Sequence, residues 1–86
     1  MLVFVRFVRG GAVDTPAIEE AVQGAVGRGG SVIGASPSSI DIEIHDEAQM
    51  QAILEALAAA LRDLGMPAST QLDIPSSGQR FGILDF

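Results

Sequence analysis

Between Ile40 and Gly65 the spacing of apolar residues switches from every second position to helical spacing, and no other feature constrains the fold as tightly. Ile40, Ile42 and Ile44 alternate with Asp41, Glu43 and His45, which predicts a strand with one apolar and one polar face. Met50, Ile53, Leu54, Leu57, Leu61 and Leu64 then fall on one stripe, which predicts a helix. Asp46-Glu47-Ala48-Gln49 joins the two, with Asp46 placed to accept from the first free N–H groups and Gln49 placed to reach back as in a capping box. Gly65, followed by Pro67, ends the helix.

The flanking segments are read the same way. Leu2 to Val8 is apolar except at Arg6, and suits a central strand. Thr15 as N-cap and Pro16 as first helical position predict a helix, with Ile18, Ala21, Val22, Ala25 and Val26 on its buried face and Gly29-Gly30 at its end. Ser31 to Ala35 and Ile40 to His45 form a hairpin through Ser36-Pro37-Ser38-Ser39. Thr70 to Ile74 is a fourth strand, Pro75-Ser76-Ser77-Gly78 a turn, and Phe81 to Phe86 a fifth strand or a packed tail.

This order, strand, helix, strand, strand, helix, strand, resembles the ferredoxin-like sandwich. The resemblance covers residues 1 to 74 and implies a single α+β domain over 1–86. Two helices would cover one face of an antiparallel sheet, and residues 75–86 would be an extension packed on that sheet. The fold hosts many unrelated functions, so function has to come from particular residues.

A domain of 86 residues buries roughly 60 to 65% of its unfolded surface, so its stability is modest or shared with a second copy in a homodimer. The chain has no cysteine, which excludes disulfides and thiol chemistry and favours a cytoplasmic setting. The start MLVFVRFVRGG is too short to span a bilayer and lacks the parts of a signal peptide. Five Arg against eleven Asp plus Glu give a net charge of −6, which repels nucleic acid and anionic membrane and favours a basic protein partner.

If the isoleucines of the third strand face the helices, Asp41, Glu43 and His45 face away, on the open side of the sheet. Leu2, Phe4, Arg6 and Val8 share that side, with Arg6 within reach of Asp41 or Glu43. The apolar members then either mark an interface or are covered by Phe81, Ile83, Leu84 and Phe86 of the tail. Phe4, Arg6, Asp41, Glu43 and His45 are therefore the expected partner-binding residues.

Named families of this build fit less well. RNA-recognition motifs stack bases on aromatics of the first and third strands, and here the third carries acids. Heavy-metal chaperones need a paired-cysteine loop where Gly10-Gly11-Ala12-Val13 stands. Acylphosphatases hold phosphate in the first loop; Arg9 to Thr15 combines Arg, glycines and a helix start, but the spacing departs from that motif and Asp14 opposes an anion. Regulatory domains of the ACT type are similar in order, and that resemblance implies amino-acid binding across a dimer interface at Arg9, Gly10, Gly11 and Thr15. His45 is the only histidine, no nucleophile-elbow motif accompanies it, and Asp46 and Glu47 are explained by the helix start. The expectation is a binding protein without cofactor, metal or catalysis. It would be a small acidic inhibitor, immunity-type or adaptor module that covers the basic surface of a nuclease or other nucleic-acid-binding protein, with a small-molecule-binding regulatory dimer as the alternative.

Overall fold

A computed structural model describes residues 1–7 and 14–86. Among these residues five strands and two helices follow in the order β1 (Leu2–Arg6), α1 (Thr15–Val26), β2 (Gly30–Ser36), β3 (Ser39–Ile44), α2 (Met50–Asp63), β4 (Gln71–Ile74) and β5 (Gln79–Gly82). The strands form one open antiparallel sheet in the order β2-β3-β1-β4-β5. The fold is thus α+β, with a five-stranded sheet in which the expected C-terminal segment adds β5 at the edge beyond β4.

Register assigns the faces. Val3 lies opposite Ile42, and Val5 lies between Ile40 of β3 and Leu72 of β4. All five are fully buried, in one core with Ile18, Val22 and Val26 of α1 and Ile53, Leu54, Leu57 and Leu61 of α2. A single core shared by both helices and one parity of strand residues puts both helices on the same side of the sheet. The other side carries Phe4 between Asp41 and Asp73, and Leu2 opposite Glu43.

Helix α2 is bounded much as its sequence requires. Asp46 Oδ1 accepts from the Ala48 N–H at 3.0 Å, and the Gln49 side chain donates to the other Asp46 oxygen at 3.2 Å. The reach-back is therefore to the Asp46 carboxylate, while Glu47–Gln49 makes a 3-10 turn ahead of the helix. At the far end Gly65 has φ 88°, the Met66 N–H donates to the Leu61 carbonyl, and the Gly65 N–H donates to the Arg62 carbonyl, both at 3.0 Å. These two bonds make a Schellman cap that any residue with a Cβ would strain.

Three expectations shift. Helix α1 starts one residue early: Asp14, not Thr15, is the cap, because the Ile18 N–H closes the first turn on the Asp14 carbonyl at 3.1 Å. Its end is set by Gly27 at φ 58°, ahead of Gly29-Gly30. The fifth strand is Gln79–Gly82, not 81–86, because Gly78 at φ 70° completes a four-residue turn that pairs Ile74 directly with Gln79.

The C-terminal segment does not cover the open side. Phe81 lies opposite Leu72, on the helical side, and its ring meets that of Phe86 at 5.5 Å. Ile83 is buried in the core, and Arg62, in the last turn of α2, donates to the carbonyls of Ile83 and Phe86. Leu84 points to solvent.

Candidate functional site

The exposed face of the sheet is polar at one end and aromatic in the middle. On β3, Asp41 and Glu43 are half-buried neighbours on this side. Asp41 accepts from the Ser39 hydroxyl at 3.0 Å, and Glu43 meets the Met1 ammonium at 3.3 Å. His45, just past the strand, is exposed and lies 3.4 Å from the Ser31 hydroxyl. The structure thus brings Phe4, Arg6, Asp41 and Glu43 onto one face, with His45 at its rim.

Arg6 does not pair with either acid of β3. Its Nε donates to Asp73 on β4, and its guanidinium carbon sits 5.6 Å from the centroid of the Phe4 ring. Asp41 and Asp73 are both diagonal neighbours of Arg6, one on each side of β1. Asp73 prevails because it is the more deeply buried, at 8% exposure, and a buried carboxylate without a partner carries a large desolvation penalty. Asp41 already holds the Ser39 hydroxyl.

Asp73 has a second cation. Arg80 stands directly opposite it on β5, and its Nε donates to Asp73 Oδ1 at 2.7 Å. One carboxylate therefore holds two guanidinium groups side by side, each by its Nε, while both side chains stay more than half exposed. Beside them lies a depression of about 420 Å³ that Phe4, Ile74, Pro75 and Gln79 also line.

Sequence reasoning missed Asp73 and Arg80. Their pairing was within reach, since counting outward from the Pro75–Gly78 turn sets Asp73 against Arg80; the third member, Arg6, depends on β1 lying next to β4 in a particular register.

Of the alternative ligand residues, Arg9, Gly10 and Gly11 lie outside the described residues, as does Val8 of the expected first strand, and Thr15 is described only as the first residue of α1. Among the described residues no three His, Cys, Asp or Glu side chains group to hold a metal ion, and no helix is long and apolar enough to cross a membrane. Comparison with protein-family models, with curated proteins and with solved structures finds no match for this chain.

Proposed function

We propose that this chain is a small acidic protein-binding module of ferredoxin-like build, whose exposed sheet face docks on a basic surface of a partner protein. The build is supported by the run β2-β3-β1-β4 within the sheet, by the helical connections β1-α1-β2 and β3-α2-β4 on one side, and by β5 as an edge addition. The observation that carries the function is the pairing of Asp41 and Glu43 on a face that also bears exposed Leu2 and half-buried Phe4, left uncovered by the C-terminal segment. A net charge of −6 steers such a face toward a basic partner and sets specificity and association rate more than affinity. The natural role is an inhibitor or immunity-type protein that covers the basic surface of a nuclease or another nucleic-acid-binding protein, by binding rather than catalysis.

The test is a double reversal, Asp41→Lys with Glu43→Lys. Wild type and variant are used to capture partners from the native host at low salt, and the recovered partner is identified, purified and measured for association rate against salt. Slower association and a flatter salt dependence in the variant are expected because charge steering acts through a screened field about 10 Å deep at 0.1 M salt; both side chains are half-buried, so urea unfolding checks that the variant remains folded. Equal recovery and equal rates for both proteins would refute this face.

A further inference from the structure

The depression between β1, β4 and the β4–β5 turn has a chemistry of its own. We infer that it is a binding site for a carboxylate that carries an apolar body, with the paired guanidinium groups of Arg6 and Arg80 as the anion clamp and Phe4 and Pro75 as the apolar wall. The depression shares Phe4 with the docking face, but the inference does not rest on the docking proposal.

Three observations meet here. First, Asp73 uses both oxygens to fix the two arginines by their Nε atoms, and among the described residues neither guanidinium makes another hydrogen bond. Their Nη groups remain as donors, and each planar guanidinium can offer a carboxylate two parallel bonds. Second, Phe4 backs Arg6 through its ring face, which restrains the guanidinium and lowers the entropy lost when a ligand binds. Third, the balance of charge suits a single negative charge. Two cations around one carboxylate leave the cluster one positive charge in excess, whereas a phosphate dianion would meet Asp73 and a chain of net charge −6. The apolar wall and the volume of about 420 Å³ leave room for a ring or a branched aliphatic group beside the carboxylate.

Such a carboxylate belongs either to a free acid or to the C-terminus of a peptide. The two are separated by titrating the isotopically labelled protein, followed by its amide NMR spectrum, with 3-phenylpropionate and with a tripeptide ending in phenylalanine. The primary amide of each serves as the uncharged control. Saturable shifts confined to residues 73–80 and β1 are expected with the acid form of at least one probe, and the one that saturates names the source. Arg80→Gln is expected to weaken that binding about tenfold or more, the cost of a charge-assisted hydrogen bond. Arg80→Lys, which keeps the charge but loses the fork, should recover only part of it. Arg28→Gln, away from the depression, should leave it unchanged. Binding that is absent for both acids, equal for acid and amide, or insensitive to Arg80→Gln in a folded protein would overturn the inference.

Discussion

Replacing Asp73 by Asn tests the central electrostatic feature of the sheet, since it preserves shape and removes one charge. The Asp73 side chain is 11% exposed, while its partners Arg6 and Arg80 are 54% and 63% exposed. Hydrogen bonds to charged groups contribute about 1.5 to 3 kcal/mol when both partners are shielded, and exposed ion pairs only about 0.2 to 1 kcal/mol. With the carboxylate buried but both cations in water, each pair belongs near the lower range, at about 0.5 to 1 kcal/mol. Asn retains one acceptor, but its amide hydrogens point at a donor, and Arg6 and Arg80 lose the anion between them. The expected loss is therefore about 1 to 2 kcal/mol, or about 4 to 16 °C in Tm for a domain of this size. Urea unfolding of wild type, Asp73→Asn, Arg80→Gln and the double variant completes a cycle, with an expected coupling of about 0.5 to 1 kcal/mol for contacting residues. Asp73→Asn with wild-type stability, or a coupling of zero, would refute the view that this carboxylate ties β1 and β5 to β4.

Two further predictions concern space and satisfaction in the core. A Cβ at Gly30 would meet the Glu43 carbonyl oxygen at 2.4 Å, whereas one at Gly24 has nothing within 4 Å. Gly30→Ala should lower stability by about 1 to 3 kcal/mol, and Gly24→Ala, inside α1, should raise it by up to about 1 kcal/mol; thermal melts in which both move the same way would contradict this. The Thr70 hydroxyl is fully buried without a hydrogen-bond partner, so Thr70→Val should stabilise by about 1 kcal/mol. A calorimetric loss of more than about 1 kcal/mol would show that the hydroxyl has a partner.

The elements most legible in the sequence are those where one local pattern decides the outcome. Ile40, Ile42 and Ile44 could face inward only as a strand, and Leu57 and Leu61 only as a helix, because each period leaves a single apolar face; all five are fully buried. Gly65 announced the end of α2 because its positive φ is a backbone matter that no distant contact alters. The candidate site was less legible because it joins three strands. Phe4, Arg6 and Asp41 were placed on the correct face by period-two counting, yet Arg6 had two equivalent diagonal acids, and burial of Asp73 by distant elements made the choice. The direction of the C-terminal segment was undecidable locally. The apolar residues of 81–86 suit either side of the sheet, and Arg62, 21 and 24 residues from the Ile83 and Phe86 it holds, fastens them to the helical side.

The bulge in β2 bears on how this molecule survives at high concentration. β2 and β5 form the two rims of the sheet, and a rim is a row of unpaired N–H and C=O groups that could recruit a strand from another molecule. β2 breaks register between Val32 and Gly34, so Ile33, 58% exposed, is the extra residue opposite β3. Such a break bends and twists the rim, and Pro37 follows immediately in the turn. β5 guards the other rim by brevity, with four residues of which one is charged. Straightening β2 would turn an apolar side chain and an unbroken ladder outward together, which is the starting template for fibrillar aggregation.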